Sequence, residues 1–158
     1  MIESKSRLKP SRYSPEAYLQ HVEAFLHEAG GWCERRGLAV ERGVVTLREQ
    51  GIAEYQAPSL GISKDGKSLA KILSAGSRFI GAQGGIDLVG NASRDTLLLC
   101  LGKGPALSKP TARMSWLPLF SRVKEDGWYW IDSQVWEAKL VDESLFLKLF
   151  TYVSFYEF

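Results

Sequence analysis

Four charged residues beside apolar segments have the side-chain types that metal-dependent hydrolysis uses. Asp87 lies in the segment GIDLV, and Lys103 follows the apolar run TLLLCL, with the polar turn NASRD between the two segments. Glu137 and Lys139 form a Glu-x-Lys sequence farther along the chain. Carboxylates bind hard divalent cations through oxygen, and a nearby lysine can position a water molecule or a phosphate. These four residues are therefore the candidate catalytic residues of the sequence.

The segment from residue 84 to residue 104 resembles the core hairpin of the PD-(D/E)XK nuclease superfamily. In that family one strand carries an aspartate and the next carries Glu-x-Lys. Here Gly85-Ile86-Asp87-Leu88 resembles the first strand, and Lys103 stands at the lysine position, but Leu101 stands where the glutamate is expected. The resemblance implies a divalent-metal nuclease or an inactive descendant. Glu137 and Lys139 offer a substitute Glu-x-Lys, and a solvated strand face explains these two residues equally well.

The residues of the same hairpin are also explained if they serve only to form the core of the fold. The alternation of Ile86 and Leu88 with Asp87 and Val89 predicts a strand with one buried face. The unbroken run TLLLCL predicts a central strand that is covered on both faces. In this interpretation Asp87 lies near a sheet end or pairs with Arg78 or Arg94.

Aromatic residues are concentrated in the C-terminal third of the chain. The segment Trp128-Tyr129-Trp130 alternates large rings onto both faces of a predicted strand, and more rings follow the last predicted helix. A domain of this size cannot easily bury all of them, and exposed aromatic side chains often mark a surface for another protein. The candidate binding residues are Trp128, Trp130, Trp136, Tyr152, Phe155 and Tyr156.

Other common chemistries lack their residue patterns. His21 and His27 are six residues apart on a predicted helix, so their rings diverge, and a Cys33–His pair has no third group to orient it. The glycine-rich segments lack the Lys-Ser/Thr ending of a phosphate loop. We therefore expect no metal site and no cofactor.

Periodicity predicts an α+β fold with an N-terminal helix, a curved, mainly antiparallel β-meander and a C-terminal helix packed on the sheet. Ser14-Pro15-Glu16 predicts the first helix start, Gly30-Gly31 its end, and Asp142-Glu143-Ser144 the cap of the last helix. Between them, short apolar runs flank turns such as Lys64-Asp65-Gly66-Lys67, and the linkers are too short for helical crossovers. Residues 1–13 are predicted to be a flexible basic tail, and residues 14–158 a single domain.

Composition indicates an ordinary globular protein, with 45% hydrophobic and 24% charged residues and a net charge of +2. No apolar run is long enough for a signal peptide or a membrane span, which predicts a cytoplasmic protein that does not bind membranes. Residues 125–158, with seven acidic and two basic residues, disfavour nucleic acid, because phosphates need nearby cations. The sequence therefore favours a non-catalytic protein-binding domain, of an adaptor or immunity type, with the nuclease as the alternative; it does not indicate an oligomeric state.

Overall fold

The computed structural model describes residues 15–77, 82–101, 125–135 and 137–158. The predicted basic tail, Ser14, Arg78, Lys103 and Trp136 lie outside these residues. Among the described residues there are two helices, α1 (Pro15–Arg35) and α2 (Glu143–Ser154), and seven strands that lie between them in sequence. The strands are β1 (Ala39–Leu47), β2 (Tyr55–Lys64), β3 (Lys67–Gly76), β4 (Gly85–Gly90), β5 (Arg94–Cys100), β6 (Gly127–Asp132) and β7 (Glu137–Leu140).

The strands form one antiparallel sheet in which their spatial order equals their order in the chain. This confirms the predicted α+β meander. The hairpin between β2 and β3 turns at Asp65 and Gly66, whose φ angles of 51° and 79° are those of a type I′ turn. Strand β1 was not among the predicted strands. It is an edge strand with only partly buried and exposed positions, and its sequence lacks the apolar alternation that marks a half-buried strand.

Both helices pack on the same face of the sheet, here called the helix face. Leu60, Ile72 and Leu88 lie opposite one another on β2, β3 and β4, and all three are buried in the main core with residues of both helices. On the other face, a smaller cluster contains Cys100 and Tyr129. The alternation of β6 therefore places rings on both faces, as the sequence predicts.

The predicted end of α1 at Gly30-Gly31 is wrong, because the helix continues to Arg35. Gly30 is buried, and a Cβ atom there would lie 3.6 Å from Leu60 of β2. That distance is an ordinary van der Waals contact, so Gly30 is an interior helix residue that packs on the sheet. The chain leaves the helix at Gly37, whose φ of 81° is in the left-handed region that favours glycine.

Candidate binding cleft

Helix α2 is held at both ends by specific backbone contacts. At its start the carboxylate of Asp142 accepts a hydrogen bond of 2.8 Å from the Leu145 N–H, which confirms the predicted N-cap. At its end the Val153 carbonyl accepts a hydrogen bond from the Ala92 N–H, at 2.8 Å. Gly90 permits this approach, because a Cβ atom there would lie 2.1 Å from the Val153 oxygen. The turn between β4 and β5 thus fixes the position of α2 over the sheet.

The inner side of α2 contributes Phe146, Leu149, Phe150 and Val153 to the core. Its outer side carries Lys148 and Tyr152, and the Tyr152 side chain is 56% exposed. These two residues are four apart, so they lie next to each other on the helix surface.

A cleft of about 370 Å³ lies between α2 and the strands β6 and β7. We call it the aromatic cleft. The turn 132–134 closes the space between the last two strands, and α2 forms the facing wall. The side chains that line the cleft are Trp130, Lys139, Leu145, Lys148, Leu149 and Tyr152, together with Asp132 and its turn.

Trp130 is half-buried on the helix face of β6 and is held by polar groups. Its indole N–H donates to the Asp95 carboxylate at 3.3 Å, and the Lys139 ammonium lies 5.7 Å from the ring centroid. Burial raises the pKa of Asp95, while the hydrogen bond from Trp130 acts in the opposite direction. The ring therefore has a fixed orientation while part of it remains open to solvent.

Lys139 is also paired with an acid in the cleft. Its ammonium donates to the Asp132 carboxylate at 3.0 Å. This hydrogen bond, together with that from the Gln134 N–H, holds the pKa of Asp132 below its usual value. Lys148, the second lysine of the cleft, forms no ion pair with any of the described residues.

Phe155 directly follows α2 in an unusual conformation. Its φ of 63° lies in the left-handed region, its N–H donates to the Thr151 carbonyl at 2.7 Å, and its side chain is 81% exposed. A bulky residue at this position costs energy that a glycine would not. Phe155 thus combines a strained backbone with a ring that contributes little to the core.

The other predicted binding residues occupy different environments. Trp128 is 7% exposed, its ring centroid lies 5.8 Å from that of Phe25 in α1, and its indole N–H points at the His21 carbonyl, at 3.4 Å. Tyr156 is partly buried against the main core, and its hydroxyl accepts a hydrogen bond of 3.2 Å from Lys64. Neither ring lines the aromatic cleft.

The candidate catalytic residues do not come together. Asp87 accepts a hydrogen bond of 2.7 Å from Thr96 and lies 3.6 Å from the Arg94 guanidinium, so the predicted pairing with Arg94 is present. Asp87 and Thr96 share the face opposite the helices. Glu137 and Lys139 project from the helix face of β7. Among the described residues, no cluster of histidine, cysteine, aspartate and glutamate side chains is arranged to hold a metal ion.

Cys33 and Cys100 are fully buried in the core, and burial raises the pKa of each thiol to about 12. A nucleophilic cysteine needs the opposite shift, toward the thiolate. The packing of Cys33 therefore gives it a structural role.

The sequence did not single out Lys148 and Asp95 as parts of a site. Lys148 stands in an amphipathic helix as an ordinary solvent-facing residue, and Asp95 lies in a turn-like segment. The docking of α2 beside β6 and β7 brings Lys148 into the aromatic cleft, and the pairing of β5 with β6 brings Asp95 next to Trp130.

Comparison with known proteins gives no relatives: no family model, no curated protein and no solved structure matches the chain. In the described parts of the chain, neither helix is long and apolar enough to cross a membrane.

Proposed function

We propose that this chain is a non-catalytic protein-binding domain, of an adaptor or immunity type, that contacts its partner through the aromatic cleft and Phe155. The observation that carries this proposal is the location of the exposed apolar side chains. Among the described residues six large apolar side chains are exposed, and five of them lie between residues 135 and 158: Val135, Leu140, Tyr152, Phe155 and Phe158. Of these five side chains, Tyr152 lines the aromatic cleft, whereas Leu140 lies on the opposite face of the sheet beside Tyr129. Exposed apolar side chains are typical of protein interfaces.

The strained conformation of Phe155 adds an independent argument. A glycine at this position relieves the left-handed strain, and the exposed ring of Phe155 adds little core packing. Residues that break a local rule of stability are found mostly where function requires them. Binding explains why a large aromatic side chain occupies this position.

A cytoplasmic location is part of the proposal. The two cysteines are free and buried, which suits a reducing compartment, where disulfides rarely persist. A protein is a better partner than a nucleic acid, because residues 125–158 contain seven acidic and two basic residues. The seven acidic residues are Glu125, Asp126, Asp132, Glu137, Asp142, Glu143 and Glu157.

A pull-down from cells of the native host tests the proposal. The tagged wild-type chain is expected to retain a protein partner in stoichiometric amount, and the Tyr152→Ser variant to retain less than roughly one tenth as much, since interface tyrosines often contribute 2 kcal/mol or more. Tyr152 is exposed, so this variant should keep the unfolding temperature of the wild type.

The matched control is Val44→Ser. Val44 is 65% exposed on β1, at the other end of the sheet from β7, so its loss removes exposed apolar surface away from the cleft. This variant should retain the partner fully. If Tyr152→Ser keeps the partner, or if both variants lose it equally, the proposal is wrong.

A further inference from the structure

The two positively charged side chains of residues 125–158 line the same cleft. Residues 125–158 contain only two basic residues, Lys139 and Lys148, against the seven acidic residues named above. Both lysines line the aromatic cleft. The one acidic residue that lines it, Asp132, is already paired with Lys139. The cleft is therefore a small positively charged site within an acidic region.

The sheet and α2 each contribute an aromatic ring to this site, and α2 also contributes a lysine. Trp130 contributes its ring from the sheet, and Tyr152 contributes its ring from α2. Lys148 lies one helical turn before Tyr152 and has no ion pair with any described acid. An apolar group between the two rings thus has an unpaired ammonium within reach.

We infer that the aromatic cleft binds a segment of the partner protein in which an aromatic or aliphatic side chain is followed or preceded directly by an aspartate or glutamate. The apolar side chain lies between Trp130 and Tyr152, and the carboxylate pairs with Lys148. This inference rests on the proposed function and adds the chemistry of the partner.

Size and charge both favour this occupant. A volume of about 370 Å³ is at the lower end of the usual range of ligand pockets, so it suits one or two side chains rather than a whole folded surface. A single carboxylate in contact with Lys148 gains electrostatic attraction. Salt screens its repulsion from the acidic residues farther away. A polyphosphate carries several negative charges, which the seven acidic residues of 125–158 disfavour.

Titration of the ¹⁵N-labelled protein with short peptides tests the inference. The probes are the blocked peptides Gly-Asp-Phe-Asp-Gly, Gly-Asn-Phe-Asn-Gly and Gly-Lys-Phe-Lys-Gly, and the signal is the indole N–H resonance of Trp130. We expect the acidic peptide to shift this resonance and to bind at least roughly threefold more tightly than the amide peptide, as a solvent-exposed ion pair allows. The lysine peptide should bind most weakly.

Charge reversal provides the matched variants. In Lys148→Glu the order of the three peptides should reverse. In Lys71→Glu, which makes the same change of net charge at an exposed lysine on the face opposite the helices, the order should stay as in the wild type. The inference is overturned if no peptide shifts the Trp130 resonance, if the three peptides bind equally, or if both variants behave alike.

The pull-down separates this inference from the proposed function. Loss of the partner in Tyr152→Ser, with full retention in Lys148→Glu and no competition by the acidic peptide, contradicts the acidic chemistry and leaves the protein-binding function in place. Retention of the partner in Tyr152→Ser contradicts the function itself.

Discussion

Trp128 and Trp130 lie two residues apart on the same strand and the same face of the sheet, yet their surroundings differ. Helix α1 covers Trp128, which packs against Phe25 and is 7% exposed. Trp130 lies beside α2, contacts Lys139 and Asp95, and remains half-buried at the aromatic cleft. The difference arises from the position of the helices over the sheet, because the strand presents both rings in the same way.

The surroundings of α1 form the packed core of the fold, whereas the outer side of α2 carries the surface that we propose for partner binding. Around α1, large side chains are buried and the Tyr18 hydroxyl, which donates to the Gly85 carbonyl at 2.6 Å, ties the helix to the sheet. Around the outer side of α2, the Tyr152 ring is exposed and Lys148 has no ion pair among the described residues. Substitutions in the two regions should therefore differ in kind as well as in size.

The largest effect is expected for Trp128→Ala. Removal of a buried tryptophan leaves a cavity between β6 and α1, which typically costs about 3–5 kcal/mol of the free energy of unfolding. Trp130→Ala, which removes a half-buried ring and its hydrogen bond to Asp95, should cost about 1–2 kcal/mol. Urea denaturation of both variants measures the difference, and equal costs would contradict the contrast between the two tryptophans.

A smaller effect of opposite sign is expected for Phe155→Gly. Relief of the left-handed strain exceeds the extra flexibility of glycine in the unfolded chain, so the variant should gain roughly 0.5–1 kcal/mol in the free energy of unfolding. The same denaturation experiment measures this gain. A clear loss of stability would mean that the Phe155 ring contributes to the core.

The smallest effect is expected for Lys139→Gln, which removes the ammonium that lowers the pKa of Asp132. In the variant the Asp132 pKa should rise toward the ordinary aspartate value of about 3.9, as followed by NMR titration. The stability that the ion pair contributes is present above that value and is lost as the pH falls through the lowered pKa of the folded state. At neutral pH the variant should therefore be slightly less stable, and near pH 2 it should equal the wild type.

Much of the fold could be predicted because its signals are local. The Asp142 cap, the Asp65-Gly66 turn and the alternation of rings in β6 depend on residues within a few positions of one another. Strand β1 and the true end of α1 could not be predicted. An exposed edge strand has no periodic pattern, and the contact of Gly30 with Leu60 of β2 is between residues far apart in sequence. The aromatic cleft depends on the same kind of contact. Trp130 and Tyr152 were predicted as binding residues from their type, whereas Lys148 became part of the site only through the docking of α2.

The most direct test of the account is partner capture by Phe155→Gly, measured beside its free energy of unfolding. We expect the variant to be more stable than the wild type and to capture less partner, because in the proposed function the exposed ring contacts the partner while its backbone is strained. If the variant captures the partner as well as the wild type does, or if capture and stability fall together, Phe155 is not part of a binding surface and the central claim is contradicted.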